Sequence, residues 1–167
     1  MRDSGRPWEP REMRLVEDYC KEFYSGAKVL YRVRLGSAPL VVKSKFGKDR
    51  GERWFQPFKP WADAVIILPD QVILLEAKLR ATTAALGQVL MYRDVFFDTP
   101  EFVQYKGREL ITRVISPWWD EKIANLLHQY KIETEYYEPA WVEDYVEYMK
   151  HYWAKTYKAE HFGKGVR

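Results

Sequence analysis

A chain of 167 residues with 47% apolar and 16% aromatic residues fits one folded domain with a real core, which excludes a disordered protein. The net charge of +3 permits a polyanionic partner without demanding one, and the single cysteine, Cys20, excludes a disulfide framework, a zinc cluster or an iron–sulfur cluster. No apolar run approaches the roughly 18 residues of a membrane span. The polar start MRDSGRPWEPREM is not expected to act as a signal peptide, so a cytoplasmic, reducing setting is expected.

In chain order, Met13, Val16, Tyr19, Cys20 and Phe23 recur at helical spacing from Pro10 to about Tyr24, and Ser25-Gly26 ends the run. Lys28 to Leu35 alternates apolar and basic residues and is expected to be a strand. Gly36-Ser37 would turn it into a short second run, Pro39 to Lys43. Residues 44–61, rich in Lys, Arg, Gly, Pro and Trp, are expected to form a long loop. Ala62 to Leu68 and Gln71 to Lys78 are strong strands around Pro69-Asp70, a natural turn pair. Thr82 or Thr83 caps a helix to about Phe97. A strand follows over Glu109 to Ile115, a helix over residues 118–130 and a last strand over Glu133 to Tyr137. Pro139 opens an aromatic-rich helix to about Tyr157. This order implies an α/β domain with a mixed sheet flanked by helices. A single domain over 1–167 is expected, with its core at about 10–138 and the aromatic helix at about 139–158.

The hairpin carries the chemistry. Side chains alternate faces along a strand, so Val72, Leu74, Glu76 and Lys78 share one face and Ile73, Leu75 and Ala77 the other. Both faces are apolar until the strand ends, as in a central strand covered on two sides. A hairpin symmetric about Pro69-Asp70 places Asp63 opposite Glu76, while an odd-length loop would slip the pairing by one residue. Two close, partly desolvated carboxylates repel each other unless they share a proton or hold a cation. Lys78 offsets one charge, and a divalent ion such as Mg²⁺ or Mn²⁺ would satisfy both. Such an ion polarises a phosphoryl oxygen and activates water. Lys78 would orient or deprotonate that water, or stabilise charge developing on the phosphate.

Asp63, twelve intervening residues and then Glu76-Ala77-Lys78 resembles the PD-(D/E)xK nuclease superfamily. Gln88-Val89-Leu90-Met91-Tyr92 on the next helix is similar to the QxxxY motif of its RecB-like exonuclease branch, with Gln88 and Tyr92 one turn apart on one face. The likeness covers about residues 10–116. It implies a restriction-endonuclease-like αβββαβ core and a Mg²⁺- or Mn²⁺-dependent deoxyribonuclease that processes DNA ends or single strands. It further implies metal ligation by Asp63, Glu76 and the Ala77 backbone carbonyl, joined by a helix-one glutamate, Glu12 or Glu17, with Glu12 favoured. Gln88 and Tyr92 would touch DNA or the catalytic groups. The chain departs from the family in having Ala62, not proline, before Asp63. Pro69-Asp70 lies only five residues before Glu76, at the turn. A small stand-alone nuclease of this kind would suit a virus or mobile element. Two rival readings are a structure-selective endonuclease resembling a Holliday-junction resolvase, and a non-catalytic nucleic-acid-binding or assembly module that keeps the fold.

Outside the hairpin, Arg80 is placed to contact phosphate. The segment Lys43 to Arg53, with Lys45, Lys48 and Arg50, reads either as a solvated loop or as a phosphate-contacting arm. Trp54, Phe55, Phe58 and Trp61 read as core or lid, or as stacking surfaces for unpaired bases. The stripe Trp141, Tyr145, Tyr148, Tyr152 and Trp153 reads as core or as a homo-oligomer interface. The three histidines, His128, His151 and His161, lack metal-ligand spacing, and no Gly-rich phosphate loop is present.

Overall fold

The computed structural model describes residues 11–161, with side-chain surroundings up to residue 151. The described residues fall into two compact units divided between Tyr137 and Glu138. The first contains a five-stranded sheet in the order β1 (Lys28–Arg34), β2 (Trp61–Ile67), β3 (Gln71–Ala77), β4 (Glu109–Ser116) and β5 (Glu133–Tyr136). β1, β2 and β3 are antiparallel neighbours, and β3, β4 and β5 run parallel. The sheet is therefore mixed, and the doubly apolar β3 takes its centre, as a strand buried on both faces must.

Helices cover both faces. α1 (Arg11–Phe23) buries Val16, Tyr19 and Cys20 of the expected stripe together with Leu15, leaves Phe23 exposed, and packs on β3 and β2. Withdrawing Leu15 and Val16 from water contributes about 1.5–3 kcal/mol each. Its Tyr19 hydroxyl donates to Glu135 and accepts from Arg113 at 2.9 Å, so α1 lies on the Arg113 face. α4 (Thr83–Val95) packs on β2, β3 and β4 from the other side. There Tyr92 and Phe96 join Val65, Ile67, Val72 and Leu74 in one apolar cluster. Thr82 occupies the N-cap position of α4 with an extended backbone, but its side chain makes no capping bond. α5 (Glu121–Gln129) is capped by Asp120, which accepts from the Lys122 and Ile123 amides. The second unit holds α6 (Trp141–His161), on which Tyr148 is exposed. The side chains of Tyr152 and Trp153 lie outside the described residues, as does His161's. No helix among the described residues is long and apolar enough to cross a membrane.

One expectation is corrected. The segment expected as a short second run and a long loop is a helical hairpin, α2 (Leu40–Phe46) and α3 (Lys48–Phe55), followed by a 3-10 turn at Gln56–Phe58. Its helices are short and weak by propensity, and non-local bonds hold them. Glu52 accepts from the Ala38 amide at 2.8 Å and pairs with Lys43 and Lys59, each at 3.0 Å. Burial works against the Glu52 charge, but Lys59, Lys43 and the Ala38 N–H outweigh it and hold its pKa down at about 2. Gly51 lets the helices close, since a Cβ there would sit 3.1 Å from the Lys43 Cα.

Candidate active site

The observed β2–β3 register pairs Ala64 with Leu75, Val65 with Leu74, Ile66 with Ile73 and Ile67 with Val72. This is the pairing a symmetric turn gives, and the Leu68 amide closes that turn on the Gln71 carbonyl at 2.9 Å. One step beyond the last bonded pair, Asp63 faces Glu76. There the ladder gives way, and the Asp63 carboxylate accepts the Ala77 N–H at 2.9 Å. The next amide, Lys78, turns to the Ile115 carbonyl of β4 at 3.0 Å. Alternating strand geometry therefore directs the N–H and C=O of Ala77 to the Asp63 side.

Glu76 is 2% exposed. Its Oε1 accepts from Lys78 Nζ at 2.6 Å, while its Oε2 is buried without a hydrogen-bond partner. Desolvation, and then the neighbouring Asp63 charge, raise the Glu76 pKa to about 7. Burial likewise raises that of Asp63, against the Ala77 N–H and the Lys78 charge. Burial opposes the Lys78 ammonium, but Glu76, Glu12 and Asp63 together outweigh it, so its pKa is raised and it stays charged. Tyr92, from α4, brings its hydroxyl to Glu76. Burial and then the Glu76 charge raise its pKa, so it remains a neutral donor. Gln88 reaches the Tyr92 hydroxyl at 3.5 Å, a long and weak contact.

The helix-one candidates separate. Glu12 lies 3.9 Å from Lys78 Nζ and receives the Leu79 amide at 3.4 Å, whereas Glu17 is exposed and acts on Tyr31 instead. Arg80 is exposed in the bend two residues after Lys78. Lys45, Lys48 and Arg50 are exposed on the α2–α3 hairpin. That hairpin joins the end of β1 to the start of β2, so it springs from the end of the sheet that holds Asp63. Its Phe46 and Trp54 rings stack at 5.4 Å, with Phe58 beyond at 5.5 Å from Trp54.

Arg32 and Arg34 were given no role from the sequence, whereas Trp61, expected as core, lid or stacking surface, is 39% exposed. The register pairs Arg34 with Trp61, and both guanidiniums lie over the indole, Arg34 at 4.4 Å and Arg32 at 5.3 Å. The two-residue spacing of the arginines was a visible signal, but their partner depended on the register across the insertion.

The donor set suits a hard divalent cation. Among the described residues no group of three or more His, Cys, Asp or Glu converges as a ready ligand set. Magnesium, however, is commonly held by one or two carboxylates with water and substrate oxygens completing the shell. Asp63, the unpartnered Glu76 Oε2 and the Ala77 carbonyl would supply such oxygens, and a cation would relieve the carboxylate repulsion. No family model, no curated protein and no solved structure matches this chain.

Proposed function

We propose that the protein is a divalent-metal-dependent nuclease that hydrolyses DNA phosphodiester bonds, acting on ends or single strands. One observation carries the reading. Two carboxylates are forced together at a splayed strand end, with one buried oxygen left unpartnered, beside a lysine that cannot lose its proton near neutral pH. A structural ion pair needs one carboxylate and no orphan oxygen. The α-β-β-β-α-β order of α1, β1, β2, β3, α4 and β4, with the helical hairpin inserted, also agrees with the superfamily resemblance.

Bound Mg²⁺ or Mn²⁺ would supply Lewis-acid polarisation of the phosphoryl group. Asp63 and Glu76 hold the ion, and the Ala77 amide fixes the Asp63 carboxylate. Lys78 holds the Oε1 of Glu76, and the Tyr92 hydroxyl acts on the same carboxylate from α4. The Lys78 ammonium places a positive charge where negative charge grows on the phosphate. Gln88 steadies Tyr92, and Glu12 holds Lys78 from the α1 side.

The test is cleavage of linear, circular and branched DNA with Mg²⁺, Mn²⁺ or chelator. Glu76→Ala and Lys78→Ala are each expected to lower cleavage by about two orders of magnitude or more. Cleavage unchanged in both variants sinks the assignment. Metal-independent binding without cleavage would mark a binding module, and a preference for branches a resolvase-like enzyme.

A further inference from the structure

The end of β3 gathers negative charge. Asp63, Glu76 and Glu12 meet there, and the one ammonium among them, Lys78, is engaged by Glu76 at 2.6 Å and Glu12 at 3.9 Å. A phosphodiester approaching this edge needs cations that the site's own carboxylates have not consumed. Residues directly opposite each other on neighbouring strands share a face. Arg34 pairs with Trp61, and two residues earlier Arg32 comes opposite Asp63. Arg32, Asp63 and Glu76 thus hold opposing positions on three neighbouring strands, and the Arg32 charge acts on Asp63, with the Arg34–Trp61 pair two positions further along.

Arg32 is unusual in its backbone. Its φ is 52°, in the left-handed region, and it sits inside a strand. The neighbouring positions pair normally, Tyr31 with Ala64 and Val33 with Ala62, but Arg32 and Asp63 do not. For a residue with a Cβ this conformation is costly, and in a strand it persists where the surroundings enforce it, as at ligand-gripping positions. Neither Arg32 nor Arg34 has a carboxylate within ion-pair distance among the described residues, although the Arg32 charge acts on Asp63 from further away. Each places its guanidinium over the Trp61 ring, itself 39% exposed. A stacked guanidinium keeps its N–H edge free, and that planar fork matches phosphate oxygens.

We propose that Arg32 and Arg34, held on the Trp61 indole, grip backbone phosphates of the DNA strand presented to the Asp63–Glu76 site. The proposal rests on the nuclease reading for its substrate, but it is read out by binding. The full-length Glu76→Gln protein, in chelator, is titrated with a fluorescein-labelled oligothymidylate across a salt series, and cleavage by the otherwise unaltered protein is followed in parallel.

Arg32→Ala and Arg34→Ala are each expected to weaken binding about tenfold, and to flatten the slope of log K against log salt by about 0.7 per lost phosphate contact. Arg32→Lys should recover the slope but not the affinity, because lysine keeps the charge and loses the fork. Arg32→Gly should weaken binding while leaving Tm unchanged or higher, since glycine accepts the left-handed backbone. A merely structural arginine would lower Tm and leave the slope alone. Slopes and affinities unaltered in both alanine variants overturn the proposal, even if the parent enzyme cleaves DNA. No binding by the parent protein also overturns it. Arginine-dependent binding without cleavage supports the rim and sinks the nuclease reading.

Discussion

Replacing Glu76 by glutamine in the metal-free protein isolates the cost of keeping an ionised carboxylate beside Asp63. In the unfolded chain this carboxyl titrates near the ordinary 4.5, and in the fold it titrates at about 7. Below the lower value it is protonated in both states and costs nothing. Between the two, the unfolded chain releases the proton and the fold retains it, so stability falls as pH rises. Above the higher value the full difference is lost, about 3 kcal/mol at roughly 1.4 kcal/mol per pH unit. Glutamine keeps the shape of the protonated acid and cannot ionise. The variant should therefore match the wild type at about pH 4 and exceed it by about 3 kcal/mol at about pH 8. For a chain of this size that is a gap in Tm of about 10 °C. Urea denaturation in chelator across this range measures it. The Lys78 pairing is already contained in the shifted pKa, so it needs no separate correction. A difference that stays flat with pH, or that grows as pH falls, refutes the reasoning.

Magnesium should nearly close that gap: at a hundredfold excess over its Kd the wild type should gain about 2.7 kcal/mol at alkaline pH and Glu76→Gln almost none, by the same denaturation assay. Asp63→Ala leaves the Ala77 N–H without its acceptor and should cost about 1–2 kcal/mol in stability as well as abolishing cleavage, while Asp63→Asn should recover the stability only. Tyr92→Phe removes a hydroxyl that holds the Glu76 pKa down, so the acid limb of the pH–cleavage profile should move to higher pH; a profile that does not move, or moves down, contradicts the Tyr92–Glu76 contact. Glu52→Ala strands Lys59, which is 7% exposed, and should destabilise the α2–α3 hairpin by about 2 kcal/mol, seen as faster hydrogen exchange confined to residues 38–59.

Local pattern was enough for the strands, for the α-helices outside the insertion and for the hairpin register, but not for the 3-10 helix at Pro100–Tyr105. Apolar alternation and a two-residue Pro-Asp turn leave β2 and β3 little choice, because a one-residue slip would turn every buried side chain to the wrong face. Glu76 and Lys78 shared a face by the same arithmetic, and Asp63 followed from the turn. Tertiary structure decided the rest. The α2–α3 hairpin exists through Glu52 and the close approach at Gly51, contacts that join its two helices and their flanks and that no helix propensity encodes. Glu12 was separated from Glu17 by how α1 crosses the end of β3. Arg32 and Arg34 met Trp61 only because β1 and β2 pair across the inserted helices, and the left-handed backbone of Arg32 is set by the strands around it. Periodicity fixes which side of an element a residue occupies. Which residues from different elements meet there depends on how those elements pack.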